Sequence, residues 1–156
     1  MNNINKDLLA PCGLYCGVCA IHIADRDNNF KFKNVLVDVY KPFTKSIDDI
    51  KCSGCLSESP ENIFGYCKSC PIRDCILKKN YDGCYQCNDF PCKFIDNFPI
   101  PVGKKVILRA IPQWKKLGTE KWVEEEEKRY HCPECGNSLF RGAKRCNKCG
   151  NSVNVD

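Results

Sequence analysis

The stretch from Cys52 to Cys92 limits what this chain can become more than any other. It reads C-S-G-C, then C-K-S-C-P-I-R-D-C, then C-Y-Q-C-N-D-F-P-C, so eight cysteines fall within forty-one residues. A C-x-x-C pair bends its backbone into a knuckle that points two thiolates at one ion. A run of such pairs behind a polar opening (residues 1–6, with no apolar signal stretch) reads as metal ligation rather than disulfide bonding. The expected setting is the reducing cytoplasm. No apolar run approaches the length of a membrane span, so no membrane association is expected.

Fifteen cysteines in 156 residues is a density at which staples, rather than a large core, hold a fold together. The expectation is a small, mostly α, metal-stapled cysteine-rich domain over residues 1–100. A helical connector over 101–130 and a C-terminal β-hairpin zinc ribbon over 131–152 follow it. The formal charge of +5 suggests a polyanion partner only while every thiol is counted neutral. Zinc held by four thiolates carries about −2, so four such sites would take the chain to about −3. Bulk charge then argues little for nucleic acid.

In chain order, the first cluster is Cys12, Cys16 and Cys19, in C-G-L-Y-C-G-V-C. Helices are expected from about Val18 to Asp25 and from Phe30 to Tyr40, the second with Phe32, Leu36, Val39 and Tyr40 on its apolar stripe. Ser46 is placed to cap one turn. Short helices are expected over 71–79 and from Asp89 through Phe98. A longer one spans 102–117, where Pro112 should kink or split it. Thr119 is expected to cap a charged helix ending near Tyr130, with Glu124–Lys128 and Glu125–Arg129 as i,i+4 pairs.

The final motif is Cys132-Pro133-Glu134-Cys135-Gly136 followed, with ten residues between Cys135 and Cys146, by Cys146-Asn147-Lys148-Cys149-Gly150. Two C-x-x-C-G repeats at this spacing are the signature of a zinc ribbon. The simplest local division of the rest gives Cys52, Cys55, Cys67 and Cys70 one ion, and Cys75, Cys84, Cys87 and Cys92 another. Cross-braced pairings stay open. Cys12, Cys16 and Cys19 are then one ligand short. His22, one helical turn after Cys19, is a candidate fourth ligand, or else sits on the helix surface. Cys75 or Cys92 could also close the site. About three to four zinc ions are expected, with an iron–sulfur cluster at Cys12, Cys16 and Cys19 as the alternative. The same spacing occurs in radical S-adenosylmethionine enzymes, but this chain lacks the length and βα alternation of their barrel.

With these motifs laid out, the chain resembles a family of small cysteine-rich bacterial and archaeal proteins catalogued as a domain of unknown function. The residues that carry the likeness are C-G-L-Y-C-G-V-C, Ile50 to Leu56, Ile72 to Cys75, Cys84 to Cys87, Phe90-Pro91-Cys92, and Gly118 to Trp122. The resemblance implies metal binding and no established activity.

No general base, nucleophile–base pair or phosphate loop stands out, so the enzyme question leans to no. The leading expectation is a zinc-binding interaction or regulatory module with an unidentified protein partner. An iron–sulfur carrier or sensor is the redox alternative. A nucleic-acid-binding ribbon is the third reading, with Phe140, Arg141, Lys144, Arg145 and Lys148 as contacts.

Overall fold

A computed structural model of the chain describes residues 3–156. Met1 and Asn2, part of the polar opening, lie outside the described residues. The architecture is mostly helical. Helix α1 spans Ala20–Arg26, α2 Phe30–Val39, α3 Gly65–Lys68, α4 Pro71–Lys78, α5 Lys93–Asp96, α6 Pro101–Leu117 and α7 Thr119–Arg129. Single 3-10 turns at Cys16–Val18 and Cys84–Gln86 open the first and last parts of the thiol-rich region.

Local sequence accounts for most of the boundaries. Asn29 caps α2 by accepting from the Phe32 N–H at 3.0 Å. Ser46 and Asp49 close a capping box around the turn Ile47–Asp49. Pro71 and Pro101 occupy first-turn positions where a missing N–H costs nothing.

Three expectations are corrected in detail. On α2 the buried positions are Lys33 and Leu36, whereas Val39 is 64% exposed. The Lys33 stem lies inward so that its ammonium can reach Asp25 Oδ1 at 2.8 Å. Helix α6 is not split at Pro112; the carbonyl that loses its donor belongs to Leu108, which is on the solvent side at 40% exposure. Thr119 does not cap α7, because its hydroxyl accepts from the Trp114 indole N–H at 2.9 Å.

The expected β-hairpin of the ribbon is also corrected. Among the described residues it is reduced to two isolated antiparallel bridges, His131 with Ser138 and Arg145 with Ser152. Each bridge closes the arms of one knuckle. The chain turns around its own cysteine pair too soon for a ladder to grow between the two knuckles.

The core is organised on α6 and α7. Trp114 and Trp122 stack with centroids 4.1 Å apart and planes 6° from parallel. Tyr15 meets Trp122 edge-on at 6.0 Å, and Tyr85 lies 4.7 Å from Trp114. The first cysteine motif and the Cys84–Gln86 turn are thus both fastened to this pair. Leu139, Ala143, Val153 and Val155, from the C-terminal part, belong to the same buried cluster as Ala10 and Val18. A second, smaller cluster gathers Ile21, Ala24, Leu36, Ile50 and Phe64 around α1 and α2.

Between α6 and α7, Glu126 is 1% exposed and is met by both terminal nitrogens of Arg109, with Nη2 donating to Oε2 at 3.2 Å. The acidic face of α7 is otherwise solvated. There Lys128 and Lys121 pair with Glu124 at 2.9 and 3.1 Å. Replacing Arg109 alone strands a buried carboxylate, so Arg109→Met should cost about 3–5 kcal/mol in urea unfolding. Adding Glu126→Leu should recover most of that loss. A double variant no more stable than Arg109→Met would contradict the pairing.

Candidate metal centres

The four ribbon thiols converge. The Gly136 N–H donates to the Cys132 carbonyl at 2.8 Å, and the Gly150 N–H to the Cys146 carbonyl at 3.0 Å. Those turns need a positive φ, which Gly136 and Gly150 supply at 72° and 76°. The Sγ atoms of Cys132 and Cys149 are 3.6 Å apart, those of Cys135 and Cys146 3.7 Å. All four lie within 4.8 Å of one another. A metal bonded to four sulfurs at about 2.3 Å would hold neighbouring sulfurs about 3.8 Å apart, so the set fits a tetrahedral zinc ion. Backbone N–H groups of Cys149 and then Lys148, with help from the Cys135 and Cys149 thiols, lower the Cys146 thiol to about 6. The neighbouring Cys149 thiol is raised to about 11 in turn, so one ligand of this pair ionises well ahead of the other.

The N-terminal thiols are brought together from three segments. Cys16 starts the turn Cys16–Val18 and Cys19 is the N-cap of α1. Cys67 lies in α3 and Cys70 is the N-cap of α4. The Cys52–Cys55 knuckle is laid over the first segment, where the Leu56 N–H donates to the Asp7 carbonyl at 3.0 Å. Asp25 of α1 holds it from the other side, accepting from the Cys52 N–H at 3.0 Å.

Buried like-charged neighbours raise one another's pKa, and these thiols do so across segments. Burial, then Cys16, Cys12, Cys67 and Cys70, pushes Cys55 far up. Burial, then Cys19, Cys16 and Cys52, does the same to Cys67. Cys12 is raised to about 11, chiefly by burial. The first triad thus sits directly against the Cys52, Cys55, Cys67 and Cys70 thiols. A cation is what makes such a crowd of thiolates tolerable.

His22 is beside this group with its ring fixed elsewhere: Nδ1 donates to the Cys52 carbonyl at 2.9 Å. Arg141, expected as a nucleic-acid contact, instead turns inward. Its backbone N–H donates to the Val18 carbonyl at 2.8 Å and its Nη1 to the Tyr15 carbonyl at 3.1 Å. Burial opposes the guanidinium charge, but Cys19, Tyr130, Cys16 and Cys12 outweigh it and its pKa rises. A fixed positive charge from the C-terminal part therefore faces the first triad. Arg141 stands two residues after Leu139, a buried member of the core cluster; that apolar neighbour is the only hint in the sequence that it turns inward.

Cys75, Cys84, Cys87 and Cys92 form the remaining set. They line a single half-open cavity of about 180 Å³ together with Ile72, Ile76, Phe90 and Phe94. Lys79 at the end of α4 donates to the Cys87 Sγ at 3.3 Å and lies 3.6 Å from Asp89. Cys84 is raised to about 12, by burial first and then by Cys12, Cys92, Cys87 and Cys75.

Residues 8–97, more than half of the chain, match a family described as a protein of unknown function, DUF3795. The chain belongs to this family. No curated protein and no solved structure matches it. All eleven cysteines from Cys12 to Cys92 fall inside the family stretch, and the four ribbon cysteines fall beyond it. Among the described residues no helix is long and apolar enough to cross a membrane, and all fifteen cysteines are free thiols.

Beyond the family stretch, the five candidate nucleic-acid contacts divide. Phe140 packs against Phe32 of α2 at 5.0 Å, and Arg141 is committed to Tyr15 and the thiols. Lys144, Arg145 and Lys148 are exposed, with Arg145 Nη1 donating to the Gly150 carbonyl at 3.0 Å.

Proposed function

We propose that this protein is a non-enzymatic metal-binding module of the cytoplasm that acts through a protein partner, as an interaction or regulatory unit. Cys132, Cys135, Cys146 and Cys149 hold zinc in a ribbon, and the thiols from Cys12 to Cys92 hold further metal that staples the family domain. The convergence of the four ribbon sulfurs within 4.8 Å carries this reading. Zinc with four sulfur ligands and no open position has a structural role rather than a catalytic one. Docking of Phe140 on Phe32 supports a ribbon that braces the domain rather than one that stacks on bases.

Metal analysis of Cys149→Ser tests the reading. The variant should lose about one zinc per chain and loosen the ribbon, because an incomplete tetrahedral site forfeits most of its binding energy. Unchanged zinc content would remove the ribbon site from the account.

A further inference from the structure

The cavity beside α4 asks for something larger than a single ion. Four sulfurs around one zinc would stand about 3.8 Å apart and close the space between them. The ribbon meets that geometry. Among the described residues it is also the one group of three or more potential ligands whose ligand atoms all lie within 4.8 Å. The sulfurs of Cys75, Cys84, Cys87 and Cys92 therefore do not all lie within 4.8 Å of one another, and the four residues line one half-open cavity of about 180 Å³. That volume matches about six waters at about 30 Å³ each. Its other walls are largely Ile72, Ile76, Phe90 and Phe94, an apolar surround that would disfavour bulk water in the space.

The chemistry of the donors narrows the occupant. Four thiolates suit zinc or an iron–sulfur core, and a core of several irons is what fills a space of this size between four separated sulfurs. Such a core ligated by four thiolates carries net negative charge. Lys79 places its ammonium 3.3 Å from one of the ligating sulfurs, where it offsets that charge and donates an N–H···S hydrogen bond.

We propose that Cys75, Cys84, Cys87 and Cys92 bind a four-iron, four-sulfide cluster in this cavity. The proposal rests on the reading that the N-terminal thiols hold metal, and it narrows that reading to one site and one cofactor.

The test uses the full chain, purified without oxygen and reconstituted anaerobically with ferric iron, sulfide and a thiol reductant that supplies the electrons for the ferrous half of the core. About four irons and four sulfides per chain are expected, with visible charge-transfer absorbance. Cys87→Ala with Cys92→Ala should lose iron and sulfide while the ribbon keeps its zinc. Cys149→Ser should lose zinc and keep iron and sulfide. Lys79→Met leaves the ligands in place and should shift the reduction potential to more negative values, because a positive hydrogen-bond donor to sulfur is removed. Zinc rather than iron at these four residues, iron retained by the double alanine variant, or an unchanged potential in Lys79→Met would each overturn the proposal. Absence of ribbon zinc beside an intact cluster would instead count against the ribbon reading alone.

Discussion

Acidification in the presence of a chelator is expected to strip the family domain of metal and unfold it while the ribbon still holds its zinc. The domain has short helices and a modest apolar cluster around α1 and α2, whereas structural zinc contributes about 10–16 kcal/mol of apparent binding energy per site near neutral pH. Each bound thiolate must be won from a proton. Burial and neighbouring thiols hold Cys16, Cys55 and Cys67 above their ordinary values. In the metal-free state these thiols stay protonated throughout the neutral range, so metal binding releases protons. Affinity therefore rises with pH and falls steeply as pH drops. In the ribbon the coupled pair splits, Cys146 held low at about 6 and Cys149 raised to about 11 by its neighbouring thiols, so one ligand costs no proton near neutral pH and the ribbon releases its ion last. Metal release read with a chromophoric chelator, alongside helical circular dichroism, checks both the loss and its order. Simultaneous release from the whole chain would contradict it.

Gly54→Ala should damage the same domain from the backbone side. Gly54 sits inside the Cys52–Cys55 knuckle at φ +127°, and an added Cβ would lie 2.3 Å from the Asp7 carbonyl oxygen. The obstacle is main chain, so it cannot swing aside. Strain at such a residue costs about 1–3 kcal/mol by itself, and relief of the clash must lift the knuckle off Asp7 and away from the triad. A lowered melting temperature together with reduced metal content is the expected result. Gly118→Ala is the control. There φ is +78° and ψ 166° with nothing within 4 Å of the new Cβ, so about 1–3 kcal/mol is lost to backbone strain and metal content stays. Equal metal content in the two variants would refute the role given to the knuckle.

Much of this molecule was legible because its signals are local. C-x-x-C-G spells out its own turn, and the positive φ at Gly136 and Gly150 follows from the requirements of the knuckle. Helices α1, α2, α4, α6 and α7 begin and end close to their expected bounds, since caps, prolines and apolar spacing act within a few residues. The misses are long-range. Nothing near Arg109 announces Glu126, seventeen residues on, and an acidic run reads as a solvated face until one carboxylate is found beneath it. Thr119 carries the right chemistry for a cap, but the Trp114 indole claims its hydroxyl. Grouping of thiols is the plainest case: spacing identifies ligands, whereas the meeting of the first triad with Cys52, Cys55, Cys67 and Cys70 depends on contacts such as Leu56 to Asp7. Arg141 was read as a nucleic-acid contact by its charge, and its place beside Tyr15 follows from docking of the C-terminal part on the core.

The central claim, that thiolates alone hold the structural metal of this protein, is tested most directly by zinc-edge X-ray absorption on the protein purified without added metal. The account predicts four sulfur neighbours around zinc at about 2.3 Å. Nitrogen or oxygen in that shell, or a chain that carries no zinc, would contradict it.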